Sequence, residues 1–344
     1  MKPKSKKLIL IAFGLLLCIG VFTGYKFYKY FYASNINAGI ADFLYIPTGS
    51  NIDDVFNMLE NQNIVADMSS FKRAAGFLKF NRAKPGRYKI TKQMGNKAFI
   101  NMLRSGNQAA VKITFSGNIR SNEKIASIAA RYLEADSVSV FQALNDNDLL
   151  GKFGFDSRTV IGMFIPNTYE IYWNTGADAL IERMYREYEK FWNDKRKSKL
   201  RQTCLTQGEV SIIASIVAEE TNAVDEMPVI AGIYINRINS GMLLQADPTV
   251  KFAIGDFSIR RVLNKHTYYD SPYNTYKYKG LPPSPICMPS IAAIDAVLNY
   301  EHHDYYYFCA KNDFSGKHAF AKTLAQHNQN ARAYRQALNS RNIR

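Results

Sequence analysis

The chain has 344 residues, 47% of them hydrophobic and 21% charged, with a formal net charge of +15. That composition excludes wholesale disorder and leaves room for one anchor and about two domains. The first 33 residues hold six lysines and no acid, so +9 remains on the rest, a balance suited to an acidic polymer or an anionic membrane surface.

Leu8 to Tyr25 is a run of eighteen uncharged positions. At about 1.5 Å per helical residue it reaches roughly 27 Å, close to the thickness of a hydrocarbon core. Lys2, Lys4, Lys6 and Lys7 precede it, and a Tyr/Phe cluster from Tyr25 to Tyr32 follows it. The pattern predicts a transmembrane helix over 8–25, a cytoplasmic tail over 1–7 and an exported body. A cleaved signal peptide would need small residues where bulky aromatics stand, and Leu17 is too large for lipoprotein processing at Cys18. Export removes nucleic acid from the expected partners.

A small module is predicted over 43–106. Tyr45-Ile46 reads as a strand, Pro47–Ser50 as a turn, and Ile52, Val55, Phe56 and Leu59 as one helical face. Phe71, Ala74, Ala75 and Leu78 mark a second helix, Arg87–Ile90 a strand after Pro85-Gly86, and Phe99, Met102 and Leu103 a third helix ending near Gly106. A connecting region, 107–159, contains a strand at Val111–Phe115 and a helix from Ile125 to Leu133. Residues 160–340 form a larger part that holds most of the unusual residues. The fold class expected is α+β: a transmembrane helix, a small α/β module and a larger mixed domain.

Cys204, Cys287 and Cys309 contain no C-x-x-C pair and leave a single disulfide open. The five histidines include no i, i+4 pair flanking a glutamate, so neither a metal nor a cofactor is expected.

Thr206-Gln207-Gly208-Glu209 has the pattern of a capping box and opens a helix running to Thr221. Val210, Ile213, Ile216 and Val217 share one face, and Glu220 falls within about 20° of its centre at 100° per residue. A carboxyl aimed into an apolar surface has its pKa raised by desolvation, as a general acid near neutral pH requires. Helical geometry alone leaves open that Glu220 reaches solvent or pairs with a neighbour such as Arg237.

The segment Ala214-Ser215-Ile216-Val217-Ala218-Glu219-Glu220-Thr221 resembles the A-S-I-[IV]-E-x-E-T motif of the YceG-like family, the MltG endolytic murein transglycosylases. The likeness continues through Ile235-Asn236-Arg237, then Gly241-Met242 to Val250 with Leu244, Gln245 and Asp247-Pro248-Thr249. It runs on through Tyr273-Asn274-Thr275-Tyr276, Gly280–Pro283, His318 and Phe320, and His327-Asn328. These blocks span about 210–330 in the family's order. The resemblance implies that Glu220 is the catalytic residue, that 160–340 is the catalytic domain and that 43–106 is LysM-like. Ala218 departs from the pattern, standing where the family has its first glutamate, as do Ser284 and Ser290 where glycines are usual.

The remaining candidates have bland readings beside their functional ones. Asp247-Pro248 has the form of a helix start, with Gln245 and Asp247 as sugar-binding candidates. Asn236 and Arg237 close a helix, where a cation is favourable in any case; the alternative is a contact with a stem-peptide carboxylate or with the surroundings of Glu220. Tyr273, Asn274 and Tyr276 read as a strand by default, or as a platform for sugar rings. His318 lies on a predicted strand edge and, by resemblance, borders the active site; His327 and Asn328 read as packing residues on the last helix.

One convincing carboxyl group suits a lytic transglycosylase better than an ordinary glycosidase, which uses two. The resemblance implies cleavage of MurNAc–GlcNAc bonds in nascent glycan with 1,6-anhydro ends, limiting strand length. It implies a place in the inner membrane, with peptidoglycan as substrate and wall-synthesis proteins as partners. The rivals are a hydrolytic muramidase and a non-catalytic wall-binding scaffold. Ser215 lacks any nucleophile-elbow context, which excludes a serine hydrolase.

Overall fold

The computed structural model describes residues 3–341 other than 38, 40, 92 and 118. The chain divides into two compact units, one of residues up to 112 with 132–134 and 170–175, the other of 113–131, 135–169 and 176 onward.

In the first unit, α1 (Pro3–Phe31) contains a stretch, Lys7–Phe31, long and apolar enough to cross a membrane. The helix outruns the expected end at Tyr25 because the aromatic cluster continues it, and Phe31 is buried in the unit's core. Then come β1 (Phe43–Ile46), α2 (Ile52–Asn61), α3 (Met68–Phe77), β2 (Gly86–Lys89) and α4 (Asn96–Ser105). β1 and β2 pair antiparallel, Phe43 opposite Lys89 and Ile46 opposite Gly86. Asn51 caps α2 in a reciprocal box with Asp54, and Gly106 ends α4 at φ 75°, a conformation open to glycine. Leu44, Val55, Leu59, Phe71, Tyr88 and Phe99 fill the core. The buried Asn96 amide donates to the Tyr30 carbonyl and accepts from Asn35, tying the end of α1 to the module.

Next along the chain are β3 (Val111–Phe115), α5 (Asn122–Ala130), α6 (Ser137–Ala143), α7 (Asn147–Gly151), a 3₁₀ turn (Val160–Met163) and β4 (Asn167–Ile171). β3 and β4 form a second two-stranded sheet. They are followed by α8 (Ala177–Phe191), α9 (Asp194–Thr203), α10 (Gln207–Glu220), α11 (Met227–Asn239), α12 (Asp247–Ile254), α13 (Asn264–Thr267) and α14 (Ile291–Leu298). The chain closes with β5 (Tyr307–Ala310), β6 (His318–Ala321) and α15 (Leu324–Ser340). The architecture is mixed α+β. β5 and β6 pair antiparallel with Ala310 opposite His318, as the strand-edge expectation for His318 required.

α10 is the centre of the second unit. Val210 through Val217 are all buried, and the helix packs against α14, α11 and α12. α11 carries Gly232 where a Cβ would lie 2.4 Å from the Glu301 carbonyl oxygen, so only glycine lets the 301–306 segment lie this close. One local expectation fails and a second holds in part. Tyr273–Tyr276 forms turns instead of a strand, because the Asn274 side-chain oxygen Oδ1 accepts from the Tyr276 amide at 3.0 Å and its Nδ2 donates to the Thr267 and Tyr269 carbonyls. The helix start expected at Asp247-Pro248 forms, but with Asp247 as the first residue of α12 and Ala246, not Asp247, as its N-cap. Its carboxylate is engaged elsewhere, as described below. Cys204, Cys287 and Cys309 are free thiols.

Candidate active site

Local sequence sets where α10 begins and ends. Thr206 Oγ1 accepts from the Glu209 amide at 3.2 Å while Glu209 Oε2 accepts from the Thr206 amide at 2.8 Å. At the other end Thr221 turns extended and its hydroxyl accepts from the Ala223 amide, which stops the helix at Glu220. Glu220 is therefore a terminal helical residue, half-buried, on the rim of a cavity of about 270 Å³. Arg237, Gln245, Asp247 and Tyr276 line the same cavity, with Tyr307, Phe308, Leu324 and His327.

Burial pushes the Glu220 carboxyl up to about 7. The Tyr234 hydroxyl donates to Oε1 at 2.8 Å and pulls in the opposite direction, as do the more distant Lys251 and Arg237, while the Asp247 charge adds to the rise. Desolvation dominates, so the group is partly protonated near neutrality. Tyr234 is itself 1% exposed, and its phenol is pushed well above its ordinary value by burial and by the Glu220 charge.

Asp247 Oδ1 accepts from the Tyr276 hydroxyl at 2.6 Å, the contact that withdraws it from capping α12. Arg237, 6% exposed, gives Nε to the Tyr306 carbonyl and Nη1 to the Leu244 carbonyl, both at 2.7 Å. Its charge is thereby fixed at the cavity wall without a carboxylate partner among the described residues. Leu244 leads into Gln245, which holds φ 50° with its amide bonded to the Thr275 carbonyl at 3.0 Å. A non-glycine residue in the left-handed region is a strain the surrounding bonds must hold, and such positions cluster at functional sites.

The other sequence candidates lie outside the cavity wall. Asn236 donates to the His303 and Tyr305 carbonyls at 2.7 and 3.1 Å, stitching that segment to α11. Asn274 is fully buried and staples its own loop. Tyr273 bonds Ser284 Oγ at 2.6 Å and packs its ring 4.8 Å from Phe252. His318 bonds Glu226 through Nδ1 at 2.9 Å and meets Phe308 edge-on, one residue removed from the cavity. Ser215 is buried and donates to the Ile212 carbonyl, as a structural serine does.

Tyr234, Tyr307, Phe308, Leu324 and His327 were not anticipated as site residues. Tyr234 reads as core from its apolar face, and nothing within α11 announces a carboxyl partner fourteen residues upstream. Leu324 and His327 share a face at i, i+3, a weak signal by itself. The His327 ring lies 5.6 Å from Tyr307, its Nδ1 has no hydrogen-bond partner among the described residues, and burial pulls its pKa below the ordinary histidine value. Glu219, beside Glu220, receives one Arg120 guanidinium nitrogen at 2.7 and 2.8 Å from its two oxygens, and Arg120 also lies over the Phe257 ring.

The sequence profile of the YceG-like family matches residues 44–333. The chain belongs to the YceG-like family. This YceG-like chain is 27% identical over 314 residues to the endolytic murein transglycosylase of Bacillus subtilis, covering 86% of itself and 85% of that protein. It is 27% identical over 315 residues to the endolytic murein transglycosylase of Streptococcus pneumoniae serotype 2, covering 83% of itself but 57% of that longer protein. A yceG-like protein from Listeria monocytogenes, known from its crystal structure, superimposes with a TM-score of 0.55 at 26% identity, over 83% of this chain and 98% of that one.

Proposed function

We propose that this YceG-like chain is a membrane-anchored lytic transglycosylase that cuts MurNAc–GlcNAc bonds within nascent glycan strands. The observation that carries the proposal is a single half-buried glutamate, raised to about 7 by burial, on the wall of a polar cavity. The names of the relatives from Bacillus subtilis and Streptococcus pneumoniae support the substrate class. Residues 43–106 are taken as a LysM-like module that holds glycan, and 160–340 as the catalytic domain. α1 is taken to cross the inner membrane with its N-terminus in the cytoplasm, so that cleavage takes place outside, where it limits strand elongation and where wall-synthesis proteins are the expected partners.

Protonated Glu220 gives its proton to the glycosidic oxygen as the bond to MurNAc C1 breaks. The resulting carboxylate takes the proton of the sugar's own C6 hydroxyl, whose oxygen closes on C1 to form the 1,6-anhydro ring. Proton and bond counts balance without water, and Glu220 ends as it began. Asp247, held by Tyr276, supplies negative charge against the developing positive charge at C1. Arg237, Gln245 and His327 provide polar contacts for the sugars, while Tyr307 and Phe308 offer ring faces.

Asp247 also favours a second reading. Two carboxyl groups in one cavity are what a hydrolytic muramidase uses. Mass spectrometry of products from purified strands separates the two, because an anhydro end is lighter by one water. Wild type is expected to yield anhydro ends and Glu220→Gln none; undiminished release by Glu220→Gln would overturn both readings, whereas binding to sacculi with no turnover, unchanged by Glu220→Gln, would leave a wall-binding scaffold.

A further inference from the structure

The excursion between α12 and the Pro282-Pro283 turn carries an exposed surface that the catalytic cavity does not use. Phe257, Leu263, Tyr268, Tyr269 and Tyr278 are all well exposed, Tyr268 at 79%. Elsewhere among the described residues of the second unit, large exposed apolar side chains are limited to Val138, Val224 and Leu324. Interleaved with the rings are Arg260, Arg261, Lys265 and Lys279, all exposed and without an acidic partner among the described residues. The acids nearby are already engaged. Asp270 takes Lys277 at 2.7 Å and the Tyr278 hydroxyl at 2.6 Å, and Asp256 takes the Ser258 hydroxyl at 2.6 Å.

A solvated charge run needs no aromatic rings, and a core-forming aromatic cluster would be buried. Rings and unpaired cations exposed together form a surface that binds anionic, partly apolar chains. Both ends of the excursion are fixed to the catalytic centre. Phe257 lies 4.4 Å beneath the Arg120 guanidinium that grips Glu219, next to Glu220. Tyr276 returns to Asp247 on the cavity wall. The excursion thus starts beside the end of α10 and returns at the cavity wall.

We propose that Arg260, Arg261 and Lys265, with Tyr268 and Tyr269, bind the carboxylates and side chains of stem peptides on the glycan strand engaged at Glu220. The proposal rests on the function proposed above and adds a substrate feature: peptide-bearing strands are cut in preference to bare ones. MurNAc carries its peptide on the lactyl group, so every second sugar presents an anionic branch to this surface, and bare glycan presents none.

The test compares cleavage rates of full-length protein in detergent on peptide-bearing strands and on strands stripped by an amidase. The wild-type ratio is expected to favour peptide-bearing strands by roughly tenfold at low salt, the combined worth of a few exposed ion pairs, and to fall as salt screens them. Arg260→Ser/Arg261→Ser/Lys265→Ser should bring the ratio towards one, and Arg260→Lys/Arg261→Lys should keep it. A triple variant that retains the wild-type ratio overturns the proposal, as does a wild-type ratio insensitive to salt, which can be read even if the triple variant does not fold. A defect of the triple variant that appears only on vesicles containing phosphatidylglycerol would assign the surface to lipid headgroups and also overturns it. Absence of anhydro products on either substrate sinks the proposed function instead. The surface is then read separately, by co-sedimentation of the Glu220→Gln protein with peptide-bearing and stripped sacculi.

Discussion

Tyr234→Phe removes one oxygen and with it the only hydroxyl hydrogen-bonded to Glu220 among the described residues. Tyr234 donates to Oε1 at 2.8 Å, a bond that favours the ionised carboxylate and leaves Oε2 to carry the acid proton. A hydrogen bond to an ionised group contributes about 1.5–3 kcal/mol, which is about one to two pH units at 1.36 kcal/mol per unit. Removing it should lift Glu220 from about 7 by that amount. The sign follows from the role: a general acid works while protonated, so activity is present below its pKa and lost as pH rises through it. Initial rates of anhydro-end release, measured across neutral to alkaline pH, should show the falling limb of Tyr234→Phe displaced upward by about one unit or more. The maximal rate should fall as well, because the proton is no longer confined to one oxygen. A falling limb that stays in place, or moves towards acid, would refute the assignment of Glu220 as the acid or of Tyr234 as the group that holds it.

Glu220→Gln should abolish cleavage yet stabilise the fold. Because the folded pKa lies above the unfolded one, the stability associated with this carboxyl is complete in acid and lost as pH rises through 7; Glu220→Gln should therefore raise the thermal midpoint at pH 8 by the equivalent of about 1–3 kcal/mol and leave it nearly unchanged at pH 4, as calorimetry can check. Asn274→Ala strands the carbonyls of Thr267 and Tyr269 and should cost about 2–3 kcal/mol in urea unfolding, with a loss of cleavage through Tyr276; a cost near zero would contradict the stapling role. Arg237→Lys keeps the charge but cannot serve the Tyr306 and Leu244 carbonyls together, so a stability loss of about 1–3 kcal/mol is expected, and retention of the wild-type urea midpoint would count against it.

The two units were unequally legible. Helices at Ile52–Asn61, Met68–Phe77 and Asn96–Ser105 follow their apolar spacing closely, since periodicity, an Asn51 cap and a Gly106 stop all act within one or two turns. The α5 helix, expected to reach Leu133, stops at Ala130. The Tyr273–Tyr276 turn reads as a strand because aromatic alternation favours strands, and a buried asparagine that bonds its own loop overrides that preference. Asp247-Pro248 has the form of a cap, but the Tyr276 hydroxyl, twenty-nine residues on, competes for the carboxylate.

What the sequence determined by itself is what neighbouring residues decide among themselves. An uncharged N-terminal run, a capping box at Thr206 and the helical phase that turns Glu220 towards the apolar face all depend on spacings of a few positions. Only the tertiary structure decided that this face opens onto a polar cavity, that Tyr234 and Asp247 stand on opposite sides of the Glu220 proton balance, and that α15 contributes His327 to the wall. The reason is desolvation. How far a carboxyl is raised depends on which distant elements remove water from it, and that is a property of packing.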